Sequence, residues 1–410
     1  MYSNCLINKN YWHTFFLAVN QGMRILMMKK ITHAVHAGLN PKQNQGIPNP
    51  PVYHTSTILR SNMEEHRNRT FRYDYGRVGT PTSEAFETSV AALYGSEDCV
   101  ALPSGLSAIA TGVLAVVKAG DNVLFPDSLY GSGRRFAEYI LPRNGVKPVF
   151  YDPMIDAEGL AQLITAETSL VYIETPGSLT FEMQDTKAIV DTAHAHGCLV
   201  ACDNTWGTPL YFDAFGHGID IAIEAGTKYI NGHSDVSIGV VAASGETAAM
   251  IRKYTRSMGL TVGPDDLYLA LRGLRTIGLR LKQSEANGYY LARWLDQQPE
   301  VLETRHPGLE SHPRHDLWKR DFSGACGLFS IYLDPAIPVE AVDAMADNLS
   351  LYGIGASWGG HESLIMEAEF TRSVTPKTDA RVLRFYAGLE DPDDLLDDLK
   401  AGFGRMRQQS

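Results

Sequence analysis

Between Glu84 and Ala242 the chain alternates helical segments with short apolar runs, and this rhythm admits few folds. The helical segments are Ala85–Tyr94, Ser107–Lys118 and Asp185–His196. The apolar runs are Cys99–Leu102, Asn122–Phe125, Lys147–Tyr151, Leu170–Glu174, Leu199–Asp203, Ile219–Glu224 and Val236–Ala242. Each run reads as a buried strand. Strands of this kind separated by helices predict an α/β domain: a mostly parallel sheet with helices on both faces.

The flanks read differently. Residues 38–84 are rich in Pro, Gly, Asn, Thr and Arg without periodicity, as in an extended arm. A helical stretch from Asp265 to Gln297, broken at glycines, leads to strands near Leu328–Leu333 and Val382–Ala387 and a last helix after Glu390. The expected organisation is an extension over residues 1–27, an arm over 28–80, a large domain over 81–265 and a smaller α+β domain over 266–410. A length of 410 residues fits more than one core.

The formal net charge of -11 argues against nucleic acid or acidic membranes as partners. No apolar run is long enough for a membrane-spanning helix. Tyr2 to Asn20 lack the compact apolar stretch of a signal peptide. The odd, scattered set Cys5, Cys99, Cys198, Cys202 and Cys326 does not resemble a disulfide framework, so a reducing cytosol is expected. The pairs His194/His196 and His312/His315 lack the spacing and company of a zinc site, and no metal is expected.

In such sheets ligands gather at the carboxyl ends of strands. Asp203 ends one run and is followed by Asn204-Thr-Trp-Gly; it is either a ligand carboxylate or a turn residue. Lys228 follows the next run, ahead of the small-residue stretch Gly232–Gly239. Lysines are usually solvated, but a lowered pKa makes the amine a nucleophile toward carbonyls. Ser104-Gly105-Leu106-Ser107 opens a helix after a strand, as a cap or a phosphate cradle. Tyr130, after another run, could stack on a flat ring. Arg77, beside Tyr75 in the arm, is a phosphate ligand or a surface arginine. Together these are the contacts that pyridoxal phosphate (PLP) needs: a phosphate site, a stacking ring, a carboxylate for the pyridine nitrogen and an amine for the aldehyde.

From about Thr32 to the C-terminus the chain resembles the Cys/Met-metabolism, or transsulfuration, branch of the fold-type-I PLP enzymes. The resemblance lies in Tyr75-Gly-Arg77 with Gly-Thr-Pro-Thr, Ser104-Gly105-Leu106, Glu174-Thr-Pro-Gly and Asp203-Asn204-Thr205-Trp206. It continues in Thr227-Lys228-Tyr-Ile-Asn-Gly-His-Ser-Asp, Arg272-Gly-Leu-Arg-Thr, Ser357-Trp358-Gly-Gly and Gly388-Leu-Glu-Asp. The resemblance implies a PLP-binding domain over 81–265 and a Schiff base at Lys228. It also implies a pyridinium contact from Asp203, ring stacking by Tyr130, and phosphate binding by Gly105, Leu106 and Thr227. Tyr75 and Arg77 would reach the phosphate of a neighbouring subunit, with Tyr75 and Tyr130 near the chemistry. Arg384 would grip the substrate α-carboxylate, and Ser357 and Trp358 would shape the pocket.

The Ser-Trp-Gly-Gly and Asp-Asn-Thr-Trp motifs are most similar to those of the family's β-eliminating members. They imply cleavage of cystathionine to homocysteine, pyruvate and ammonia in a cytoplasmic homotetramer, a dimer of dimers. The alternatives are γ-acting relatives and cysteine-S-conjugate β-lyases. Ala225, Ala356 and His361 depart from residues common in relatives, and all three fall near the substrate end of the implied site.

Overall fold

The apolar runs are strands in the computed structural model, which describes residues 28–376 and 378–409. The extension expected over residues 1–27 lies outside the described residues. Seven strands form one sheet in the order β1-β7-β6-β5-β4-β2-β3. They are β1 (Asp98–Leu102), β2 (Asn122–Pro126), β3 (Lys147–Tyr151), β4 (Thr168–Glu174), β5 (Leu199–Asp203), β6 (Ile221–Glu224) and β7 (Gly239–Ala243). The pairs β3-β2, β2-β4, β4-β5 and β5-β6 are parallel. Strand β7 runs antiparallel to both β6 and β1.

Both faces of this sheet are covered. Leu170, Tyr172, Ala201, Ile221 and Ile223 pack with Ala108, Ile109 and Val113 of the helix Gly105–Leu114. On the other face, Val171, Ile173, Val200 and Cys202 pack with Phe86, Val90 and Leu93 of the helix Pro81–Tyr94. A central strand apolar on both faces has no solvated side, which is why its sequence runs apolar instead of alternating. Each fully buried aliphatic side chain contributes roughly 1.5–3 kcal/mol. Close approach needs glycine in two places. A Cβ at Gly239 would lie 2.2 Å from the Ser104 carbonyl oxygen, and one at Gly105 would lie 2.6 Å from the Ala225 Cβ. The start of β7, the first turn of Gly105–Leu114 and the end of β6 therefore meet at one edge of the sheet.

The expected long helix is two, Pro264–Leu274 and Ile277–Leu295. Beyond them a second sheet has the order β10-β11-β12-β9-β8. Its strands are β8 (Val301–Arg305), β9 (Leu328–Leu333), β10 (Gly353–Ile354), β11 (Leu364–Glu367) and β12 (Arg381–Tyr386). The final helix, Pro392–Gln409, packs its Leu395, Leu399 and Phe403 into a separate core with Phe329, Ile331 and Phe385. Strands β8, β10 and β11 were not among the sequence expectations: β8 is mixed in polarity and half exposed, and β10 has only two residues. Among the described residues no helix is long and apolar enough to cross a membrane.

Candidate active site

Carboxylates and an amine line up at the strand ends. Asp203 closes β5 and Glu174 closes β4, and the two are register partners. Asp203 Oδ1 accepts from the Thr205 N–H (3.0 Å) and the Thr205 hydroxyl (2.5 Å), while Oδ2 takes no hydrogen bond among the described residues. Burial pushes this carboxyl above its ordinary range; the Thr205 hydrogen bonds and the Lys228 charge act in the opposite direction. A cation presented to Oδ2 would favour the ionised carboxylate. Glu174 Oε2 accepts from the backbone N–H of Tyr130 at 2.8 Å and so fixes the turn that carries that ring. The role of Glu174 was missed in the sequence, although its signal is the same as that of Asp203, a carboxylate closing a buried strand.

Lys228 lies beyond β6 in a turn closed by Lys228 N–H to Ala225 O (2.9 Å). Its Nζ donates to Ser357 Oγ at 2.8 Å and sits 5.4 Å from the centre of the Trp358 ring. Burial, and after it the Arg384 charge, lower the Lys228 pKa to about 8, against an opposing pull from Asp203. The segment bearing Ser357 and Trp358 lies directly on Lys228 because Gly359 has φ +79° and no side chain. A Cβ there would come within 2.9 Å of the Lys228 backbone.

Arg384, on β12, is buried, and its Nη atoms donate to the carbonyls of Gly355 (2.7 Å), Ala356 (2.9 Å) and Ser357 (2.9 Å). Its Nε has no acceptor among the described residues. Burial lowers its pKa to about 10, and Tyr130 lies close enough to pull the other way. The Tyr130 side chain is exposed, at 45%. Contacts and charge interactions thus bring Lys228, Asp203, Ser357, Trp358, Arg384 and Tyr130 into one neighbourhood, with groups from both sheets facing one another.

Ser104 caps the helix Gly105–Leu114 by accepting from the Ser107 N–H at 3.1 Å. The amides of Gly105 and Leu106, in the first turn, have no intrahelical acceptor and are available to an anion. Thr227 differs from expectation in one respect: its hydroxyl donates to Ile238 O (3.1 Å) and accepts from Ile238 N–H (2.9 Å), so its donor is already engaged.

Tyr75 and Arg77 lie elsewhere. Arg77 donates to Arg256 O at 3.1 Å, and Tyr75 pairs with Thr57. Both line a cavity of about 470 Å³ whose walls include Thr255, Arg256 and Val262, but none of Lys228, Asp203, Tyr130 or Arg384. The remaining flagged residues have structural partners. His194 meets Asp220 (2.9 Å) and His312 meets Phe181 O (2.9 Å), while Cys198 and Cys202 are buried and unbonded to each other.

The free amides of a helix start, a carboxylate with one open oxygen, an exposed aromatic ring and a low-pKa amine form a donor set that fits PLP. The comparisons agree. The model of the Cys/Met metabolism PLP-dependent enzymes matches residues 31–404. A Rhizobium johnstonii protein, provisionally named as a cystathionine β-lyase, is 44% identical over 91% of this chain and 95% of its own length. An L-alanine/L-glutamate racemase of Wolbachia pipientis is 39% identical over 92% of this chain and 98% of its own. The solved structure of a cystathionine γ-synthase from Xanthomonas oryzae, in complex with aminoacrylate and cysteine, superposes with a TM-score of 0.87. It is 31% identical in sequence, and the match covers 93% of this chain and all of the other.

Proposed function

This chain belongs to the Cys/Met-metabolism family of PLP-dependent enzymes, and on that footing we propose that it cleaves the β-carbon–sulfur bond of cystathionine. The products are homocysteine, pyruvate and ammonia. The observation that carries the reading is the Lys228 amine, lowered to about 8 and held at 2.8 Å by the serine of the Ser357-Trp358-Gly-Gly segment.

Bound PLP supplies an aldehyde carbon that captures an amine and a protonated ring that draws electrons from the substrate α-carbon. Lys228 would hold the aldehyde until substrate arrives. Asp203 Oδ2 would accept from the ring nitrogen and keep it protonated. The Gly105 and Leu106 amides would bind the phosphate, and Tyr130 would cover the ring. Arg384 would offer its Nε to the substrate carboxylate. An unprotonated Lys228 amine would take the α-proton, and the electron pair left behind would expel the thiolate from the β-carbon. Tyr130 or Lys228 would deliver a proton to sulfur, and water would release the remaining three-carbon unit as pyruvate and ammonia.

The test supplies cystathionine and identifies the keto acid. Pyruvate with homocysteine is expected; 2-oxobutyrate alone would assign the chain to the γ-acting relatives. Turnover of cysteine S-conjugates with no turnover of cystathionine would move the substrate but keep the chemistry.

The racemase relative favours one second reading. Removal of the α-proton is common to both reactions; with no leaving group on the β-carbon, the proton is returned instead. L-alanine in deuterated water separates them. A racemase yields D-alanine labelled at the α-carbon, whereas a dedicated lyase yields none at a comparable rate.

The working unit in this proposal is a homotetramer in which Tyr75 and Arg77 serve the neighbouring subunit's phosphate. Their place in a cavity whose walls do not include their own Lys228 supports it. Lys228→Ala and Arg77→Ala chains should each be inactive alone and recover activity when co-expressed, since mixed dimers hold one intact site. No recovery would mean that each site is self-contained.

A further inference from the structure

Asp127 immediately follows β2, three residues before Tyr130, and its side chain is fully buried. Across the cleft, the connection between β11 and β12 turns back at Ser373, Val374 and Thr375 and wraps its backbone around this one carboxylate. Oδ1 accepts from Ser373 N–H (2.9 Å), Ser373 Oγ (3.0 Å) and Arg134 Nη1 (3.0 Å). Oδ2 accepts from Val374 N–H (3.0 Å), Thr375 N–H (2.8 Å) and Thr375 Oγ1 (2.9 Å). Successive N–H groups converging on one anion form a nest. A second tie lies beside it: Arg372 Nη2 donates to Glu182 Oε1 (2.7 Å) and Thr180 Oγ1 (2.5 Å), in the loop that follows β4.

In the chain the two ends of this clasp lie three residues before Tyr130 and nine residues before Arg384. On one side the chain continues from Asp127 to Tyr130; on the other it continues from Thr375 into β12, which carries Arg384. Val374, at the tip, is 53% exposed, and the backbone amides of all three turn residues donate to the carboxylate. Neither Lys228 nor Asp203 touches the clasp.

We propose that Asp127 is a positioning residue for the amino-acid substrate, clasping the Ser373–Thr375 turn so that Tyr130 and Arg384 stand at a fixed separation across the cleft. The proposal rests on the family chemistry above, but its mark is distinct: amino-acid binding, which uses both Tyr130 and Arg384, depends on Asp127 more strongly than cofactor loading, which has Lys228, Asp203 and the Gly105 and Leu106 amides to hold it. Burial alone would raise the Asp127 carboxyl, yet the Thr375, Ser373 and Val374 amides and Arg134 hold it far below the usual range. The clasp therefore stays charged through the neutral range. An amide in its place would set an NH2 group against these same donors.

The test is a titration of PLP-loaded protein with L-alanine, followed by the visible absorbance of the cofactor, which needs no turnover. Asp127→Asn is expected to weaken L-alanine binding on the order of tenfold, the size of one lost charge-assisted hydrogen bond. Half-saturation by PLP should shift by no more than two- to threefold, roughly the smaller share of one contact, and backbone amides 373–375 should exchange hydrogen faster. The surface pair Ser373→Ala/Thr375→Ala, which keeps the buried carboxylate and loses two hydroxyl donors, should show a smaller shift in the same direction. Should Asp127→Asn fail to fold, this pair carries the test. Unchanged L-alanine binding in the folded variants, or a loss of PLP binding as large as the loss of L-alanine binding, would overturn the proposal. No spectral response in the wild-type protein would instead overturn the family chemistry at this site.

Discussion

Lys228→Ala is expected to abolish turnover of every sulfur amino acid while leaving the fold intact. Proton transfer by a positioned side chain is worth roughly 10²–10⁴-fold, and this substitution removes that base together with the amine that attaches the cofactor. Borohydride reduction of wild-type protein loaded with PLP should leave the cofactor's mass on the peptide containing Lys228; the alanine variant should carry none. Reducible attachment at another residue, or surviving activity, would break the assignment. The pH dependence follows from the same environment. The amine acts as a base only without its extra proton, so the rate of α-proton removal should rise with pH through the region near 8, below the range of a solvated lysine. Burial dominates that displacement. Arg384→Gln removes a positive charge that lowers the Lys228 pKa and should move the rising limb to higher pH.

Asp203→Asn is expected to keep cofactor attached at Lys228 and to slow α-proton exchange in deuterated water by about 10²–10³-fold, the scale of losing one preorganised electrostatic contact in a closed site. The cause is the loss of the negative charge that keeps the ring nitrogen protonated. The same substitution should move the rising limb downward, opposite to Arg384→Gln, because Asp203 raises the Lys228 pKa. An exchange rate within a few-fold of wild type would show that this carboxylate has no electronic role.

The placement of Lys228 and Asp203 was legible in the sequence because Asp203 ends one buried strand and Lys228 sits in the turn beyond another, and a strand end in a parallel sheet points at the ligand crevice. The strands of the large sheet were legible for a related reason: a strand buried on both faces must be apolar along its length. Tyr130 and the Gly105-Leu106 amides were legible by the same placement. Boundaries drifted where local signals overlap. Val236–Ile238 continue an apolar run but lie outside β7, which begins at Gly239 where the backbone meets Ser104. The engaged Thr227 hydroxyl could not be foreseen, because its partner Ile238 is eleven residues away and gives no sequence sign of bonding back.

The sequence by itself determined the layered α/β architecture and the identity of the chemical groups, since burial pattern and residue type are local properties written in the order of amino acids. Only the tertiary structure decided which distant groups meet. Ser357 reaches an amine 129 positions away, Asp127 is clasped by amides nearly 250 positions on, and Arg384 is engaged with three carbonyls. Such pairings depend on how two sheets pack across a cleft, and a hydrogen bond between remote segments leaves no periodicity in either of them.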